Sequence, residues 1–303
     1  MFFQLQVFRG MEIQCRTFLF LTLFAFVIYS LYLIVKLSNM KKGIFGLAAV
    51  AAFSFNMRVA KEIPQMPGAY KMLSQVVNDG KRDTAYGGVK QLKIYTTDYV
   101  MYANVSTTDS VSSFGIGTYT TNEGKVTEHM IYGGSDTSIS TKPVSYTLDI
   151  LKTANGYKQV IPDIVVTAAG QKFKLTEEYE NVSSPAKSPL DGAWKLVKAY
   201  GISGNDTIVF QLEQFKTFYA GYVIWGRTNK DSTNANRTSI GCATFSMNGN
   251  NKLKESFILS TYSTLNGQTL EHDITMSGND EYQQTISYQQ GQKSVERYQR
   301  LKK

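Results

Sequence analysis

The chain has 303 residues, with 32 Lys and Arg against 24 Asp and Glu, two His and two Cys. At 43% apolar and 18% charged residues it is too hydrophobic for a disordered chain. So few His and Cys exclude a multi-ligand zinc site and a disulfide scaffold, while 19 Tyr, 17 Phe and 24 Gly against six Pro point to strands and tight turns.

Residues 1–60 differ in kind from the rest. They hold +5 of the net charge of +8, which leaves the body near balance at +3. A near-balanced body gives no electrostatic case for nucleic acid, which would need a basic face of clustered Lys and Arg. The run 18–35 carries no charge and is long enough to span a bilayer as a helix. A shorter run, 43–55, follows Met40-Lys41-Lys42, the order of a secretory signal peptide over 40–60. Two readings stand side by side. In one, Met40 is the true start and the mature protein begins between Phe53 and Lys61. In the other, 18–35 is a retained membrane anchor. Both export the body to the periplasm or the cell exterior, and membrane contact is expected only through this leader. Cys242 is then the one Cys of the body, expected as a small buried thiol.

The body reads as one module written twice. Gly68-Ala69-Tyr70-Lys71-Met72-Leu73 matches Gly192-Ala193-Trp194-Lys195-Leu196-Val197. Gln91-Leu92-Lys93-Ile94-Tyr95 matches Gln214-Phe215-Lys216-Thr217-Phe218, and Glu177-Glu178-Tyr179 matches Glu296-Arg297-Tyr298. A period above a hundred residues makes each copy a full domain rather than a solenoid turn. The copies are expected at 66–182 and 190–303, joined by the Ser/Pro-rich linker 183–189. In copy one, strands are predicted at 69–77, 89–96, 99–105, 113–121, 125–132, 144–152, 157–166 and 172–182. Turns fall at Thr97-Asp98, Glu123-Gly124 and Asn155-Gly156. Eight short strands in up-and-down order suit a small barrel that closes its own edges. The predicted class is therefore all-β, with two tandem up-and-down antiparallel barrels after a hydrophobic leader.

Parity says what faces inward, because successive strand side chains point to opposite sides. One face of the fifth long strand reads Val126, Glu128, Met130 and Tyr132, and its match reads Leu253, Glu255, Phe257 and Leu259. On the last strand Phe173, Leu175, Glu177 and Tyr179 share a face, matched by Glu296, Tyr298 and Arg300. Taking the apolar face as the interior one, each barrel holds two inward carboxylates, Glu128 with Glu177 and Glu255 with Glu296. A buried carboxylate must be paired or hydrogen-bonded. Four readings compete: a structural plug satisfied by Tyr hydroxyls or an Arg, a polar anchor in an aromatic-lined ligand cavity, a general acid and base pair, or a bulge that flips the faces. His129 is expected to point outward, and His272, in Glu271-His272-Asp273, to be a solvated surface histidine. No nucleophile–base constellation, phosphate loop or dinucleotide motif is present. No catalytic residue, cofactor or metal is assigned.

Gly192-Ala193-Trp194 at the start of copy two, with Arg300 on its last strand, resembles the lipocalin-like (calycin) pattern. There a G-x-W meets an Arg from near the chain end, and the guanidinium stacks on the indole. Each copy is similar to the short lipocalin-like domains of unknown function in secreted bacterial proteins. Copy one departs from the pattern, with Tyr70 for the Trp and Asn181 where Arg300 lies. The resemblance implies barrel closure by Tyr70, Trp194 and Arg300 and a small hydrophobic or amphipathic ligand. Candidate binding residues are Tyr102, Glu128, Met130, Glu177 and Tyr179 in copy one, and Trp225, Arg227, Glu255, Phe257, Glu296 and Tyr298 in copy two. The alternatives are a solid barrel pair acting through its surface, and a hydrolase or isomerase using paired Glu. An interior volume below about 300 Å³ would favour the solid barrel.

Overall fold

The computed structural model describes residues 65–106, 111–135, 137–165, 172–249, 251–288 and 291–303, which fall within one compact unit. The leader, with its anchor and signal-peptide readings, lies outside the described residues. Among the described residues no helix is long and apolar enough to cross a membrane.

Copy one contains β1 (Gly68–Asn78), β2 (Asp83–Ala85), β3 (Val89–Tyr95), β4 (Tyr99–Ser106), β5 (Ser113–Asn122), β6 (Lys125–Ser135), β7 (Ile139–Ser140), β8 (Val144–Lys152), β9 (Gly156–Val165) and β10 (Lys172–Asn181). Copy two contains β11 (Gly192–Ser203), β12 (Asp206–Val209), β13 (Glu213–Tyr219), β14 (Tyr222–Lys230), β15 (Asn236–Asn248), β16 (Lys252–Ser260), β17 (Thr269–Ser277), β18 (Glu281–Ser287) and β19 (Lys293–Arg300). Each copy forms a closed antiparallel barrel of eight long strands in up-and-down order. The first closes where β10 returns to β1, the second where β19 returns to β11. The short β2, β7 and β12 are flaps on β1, β6 and β11.

The bulges are duplicated too. β1 slips register on β10 between Met72 and Ser74, and β11 slips on β19 between Leu196 and Lys198. The bulged residues, Leu73 and Val197, are pushed into solvent. A second pair of bulges, at Ile131 and Ile258, lies where β6 and β16 pair with β5 and β15. Each inverts the alternation beyond it. This corrects the sequence expectation for two residues: Tyr132 and Leu259 do not share the inner face of Glu128 and Glu255. They turn outward into an apolar seam.

That seam joins the barrels. Leu92, Ile94, Met101, Ala103, Phe114, Ile116 and Tyr132 of the first pack with Phe215, Ile224, Ile240 and Cys242 of the second in one buried cluster. Phe114 lies across the bare backbone of Gly226, where a Cβ would overlap its ring. The Tyr132 hydroxyl meets Thr228 Oγ1, and Thr217 Oγ1 lies 3.3 Å from Met101 Sδ. Cys242 is buried here, and burial pushes its thiol up to about 12. Each barrel also has its own core. Tyr70, Tyr95, Tyr157 and Tyr179 fill the first, and Trp194, Phe218, Tyr282 and Tyr298 fill the closed end of the second.

Candidate functional site

The closed end of the second barrel is sealed by Arg300. Its guanidinium lies 4.0 Å from the Trp194 ring centroid and donates to the carbonyls of Asn279 at 2.7 Å, Asp191 at 2.5 Å and Pro189 at 2.9 Å. The Trp194 indole N–H donates to the Leu190 carbonyl at 2.7 Å. In the first barrel Tyr70 pairs with Asn181 in the same register that pairs Trp194 with Arg300. There the end is filled by Tyr70, edge-on to Tyr157 at 4.9 Å and to Tyr95 at 6.1 Å.

Above the aromatic layer each barrel carries a buried polar layer. In the first, Lys93 Nζ donates to Glu128 Oε1 at 3.1 Å and to Gln159 Oε1 at 3.2 Å, and the Tyr95 hydroxyl also reaches Glu128. Glu177 accepts from Gln75 Nε2 at 2.8 Å, Gln159 Nε2 at 2.5 Å and the Tyr179 hydroxyl at 2.9 Å. Tyr179 also meets Gln91, whose amide donates to Asn104 at 2.5 Å. Both carboxylates are thus tied by several donors, as a buried charge requires. Tyr102 and Met130 stand at the edge of this layer, beside a pocket of about 200 Å³ shared with Tyr132, Val144 and Tyr146.

The second barrel repeats the layer with fewer bonds. Lys216 Nζ donates to Gln284 Oε1 at 2.8 Å and lies 3.7 Å from Glu255 Oε1, an ion pair too long for a hydrogen bond. His272 Nε2 meets Glu255 Oε2 at 3.2 Å. Burial would raise the Glu255 carboxyl, but the Lys216 ammonium and the His272 hydrogen bond outweigh it and hold it at about 2. The Tyr298 hydroxyl donates to Glu296 Oε2 at 2.6 Å and meets the Gln214 amide. Burial, with the Glu296 charge beside it, drives the Tyr298 phenol well above its usual range.

Over this layer opens a cavity of about 710 Å³. Its floor is Gln214, Lys216, Glu255, His272, Gln284 and Glu296; its walls include Trp225, Phe257, Leu270 and Ile286. Exposed Ile208, Phe210 and Tyr288 rim the mouth. Trp225 lies flat across Gly241, where a Cβ would collide with the indole. The Arg227 guanidinium sits 5.9 Å from the Trp225 ring and 5.8 Å from the Tyr262 ring, and bonds the Tyr262 hydroxyl.

Strand register explains why one barrel is open and the other filled. Gln75 faces Glu177 and Val77 faces Leu175 across β1 and β10. At the same places across β11 and β19, Ala199 faces Glu296 and Gly201 faces Ser294. Three large side chains become Ala, Gly and Ser, and all three small residues line the cavity. Opposite Glu128 stands Tyr146; opposite Glu255 stands Leu270.

Of the candidate binding residues, Trp225, Arg227, Glu255, Phe257 and Glu296 converge on one cavity, with Tyr298 just beneath it. Glu128, Glu177 and Tyr179 join a closed network. His129 points outward and bonds Ser145 at 2.8 Å. His272 is a correction: it is 3% exposed and belongs to the floor. It shares the inward parity of Leu270 and Ile274 on β17, while Glu271 and Asp273 take the outer face. The inward Lys93, Lys216, Gln159 and Gln284 were not anticipated either, although Lys93 and Lys216 stand at matched places in the repeat.

No family model matches the chain, and no curated protein matches it. Solved structures similar to it include two variants of the vaccine antigen transferrin binding protein B from Haemophilus parasuis. A doubly substituted variant shares 13% identity at a TM-score of 0.24, over 75% of this chain and 56% of that one. A singly substituted variant shares 11% identity at a TM-score of 0.23, over 80% and 78%. The chain thus spans little more than half the length of the first of these proteins.

Proposed function

We propose that this is an exported, lipocalin-like binding protein that holds one small amphipathic ligand in its second barrel, while the first barrel serves as a filled structural partner. The observation that carries this is the contrast between the two copies. The second encloses about 710 Å³, inside the range of about 300–1,000 Å³ usual for ligand sites. The pocket beside the first barrel's polar layer measures about 200 Å³. The walls carry Trp225, Phe257, Leu270 and Ile286, a cluster of polar groups forms the floor, and Arg227, Asn229 and Lys293 complete the lining, a mixture that suits an amphipathic molecule. The Gly-x-Trp and Arg300 closure supports the lipocalin-like reading, and the hydrophobic leader supports export.

The test uses the two tryptophans of the chain. Trp225 lines the cavity and Trp194 is sealed in the closed end. Organic extraction of the purified protein is expected to release a small molecule visible by mass spectrometry. Adding an apolar fluorophore to the extracted protein is expected to quench Trp225 and leave Trp194 unmoved. A clean extract, together with no response of Trp225 to any apolar probe, would remove the proposal.

A further inference from the structure

The two barrels open towards the same side. Thr97 and Asp98 of the first line one cleft with Gly192 and Arg300 of the second at the closed ends, while Tyr132 meets Thr228 in the open halves. The mouths nevertheless differ in chemistry. β2 and β12 are matched flaps: the Tyr86 N–H donates to the Gln75 carbonyl as the Phe210 N–H donates to that of Ala199. In that register Thr84 and Ala85 of the first flap become Ile208 and Val209 of the second, both more than half exposed. Counted from the pairs Gly115–Gly133 and Gly241–Ser260, Ser135 becomes Tyr262 and Asn104 becomes Arg227. Phe210, Tyr262 and Tyr288 complete an exposed apolar rim. β12 pairs with β11 alone, so one edge is free and apolar side chains stand bare on both of its faces, a feature that needs a cover. Lys230 and Lys293 are exposed beside the rim and form no ion pair among the described residues. The anions there are Asp206 in the flap and, already paired, Asp231 with Arg237 and Glu213 with Lys195. The closed-end turns Thr97-Asp98, Glu123-Gly124, Asn155-Gly156 and Ala220-Gly221 carry no large apolar residue.

We propose that the mouth of the second barrel docks on an anionic lipid bilayer, with Val209, Phe210 and Tyr288 seated among the headgroups and Lys230 and Lys293 on the lipid phosphates. The rim encircles an opening, so it offers a protein partner no continuous apolar core, whereas a bilayer interface conforms to it. Tyr and Phe beside Lys and Arg are the residues that settle at a membrane–water boundary, and each cation near an anionic leaflet adds to the attraction. The body then meets the membrane itself, where the sequence pointed only to the leader. This goes beyond the binding reading and stands without it.

The experiment uses the full chain and vesicles of phosphatidylglycerol and phosphatidylcholine in equal parts, with brominated acyl chains that quench tryptophan on contact. Tyr288→Trp places a reporter at the mouth and Leu151→Trp places one at the closed end, both at exposed positions. β1 starts at the closed end, so attachment through the leader alone does not favour the mouth. The vesicles are expected to quench the Tyr288→Trp reporter and to leave the Leu151→Trp reporter at the level of the unaltered protein. Val209 and Lys230 lie outside the cavity lining. Adding Val209→Asp and Lys230→Glu is expected to weaken the partition about tenfold and to leave the response of Trp225 to an apolar probe unchanged. Quenching of neither reporter, equal quenching of both, or quenching that pure phosphatidylcholine vesicles match would overturn the proposal. A dimer in sedimentation that Val209→Asp splits, with no quenching by vesicles, would give the mouth to a second copy instead. Quenching at the mouth together with a clean extract and a silent Trp225 would keep the membrane contact and remove the ligand. A melting curve checks that the variants fold, and the contrast between the two reporters stands without the double substitution.

Discussion

Lys216 is the residue on which the second barrel's floor depends. It is 3% exposed and is the cation paired with Glu255. Replacing it by Met leaves a buried carboxylate with His272 as its remaining partner, and stability is expected to fall by about 3–5 kcal/mol in urea denaturation. Lys93→Met is expected to cost less, because Glu128 keeps the Tyr95 hydroxyl. Acid acts on the same group. Glu255 is faced by Lys216 from β13, His272 from β17 and Glu296 from β19. Its folded value of about 2 lies below the ordinary 4.5, so the folded state binds the proton less readily than the unfolded chain. The stability it contributes is present in full above about pH 4.5 and is lost as pH falls towards 2. Measured from pH 6 to pH 2, the stability of Glu255→Gln is expected to fall less steeply than that of the unaltered protein. Parallel curves would show that Glu255 is not held down.

At the scale of the strand, β1 and β11 carry the same bulge and the same closure but opposite instructions about volume. Gln75, Val77 and Leu175 fill one barrel; Ala199, Gly201 and Ser294 leave the other open. Transplanting the first set as Ala199→Gln, Gly201→Val and Ser294→Leu is expected to close the cavity, abolish quenching of Trp225 by an apolar probe and preserve the melting temperature. The Gln would regain a carboxylate partner in Glu296, while a Cβ added at Gly201 would meet the ring edge of Phe210 at 3.1 Å and the Lys293 carbonyl at 3.9 Å. Retained quenching would mean that the probe binds elsewhere.

At the scale of the molecule, the outward side chains of β3, of β4 and of β5 as far as Ile116, with Tyr132 near the end of β6, are core, because the second barrel covers them. Phe114 is 1% exposed and packs on Tyr132 at 5.9 Å and on Gly226. Phe114→Ala is expected to cost about 3–5 kcal/mol and to lower the unfolding of both barrels together. Calorimetry is expected to show one transition in the unaltered protein and in the variant. Two well-separated transitions in the unaltered protein would show that the seam does not couple the halves.

The duplication, the strands and the two inward carboxylates of each barrel were legible in the sequence because they rest on local alternation and turn chemistry. Glu128 and Glu255 are buried as their parity with Val126 and Leu253 implies. The same rule inverts on β3. There Leu92 and Ile94 form the apolar face yet point at the other barrel, and Gln91, Lys93 and Tyr95 point inward. Alternation tells which residues share a side; it does not tell which side is the interior when both are buried. The bulges at Ile131 and Ile258, the burial of His272 and the wider opening of the second barrel were likewise decided in three dimensions. Each depends on which strand lies alongside and on how much volume the facing residues supply, and neighbours along the chain carry neither quantity.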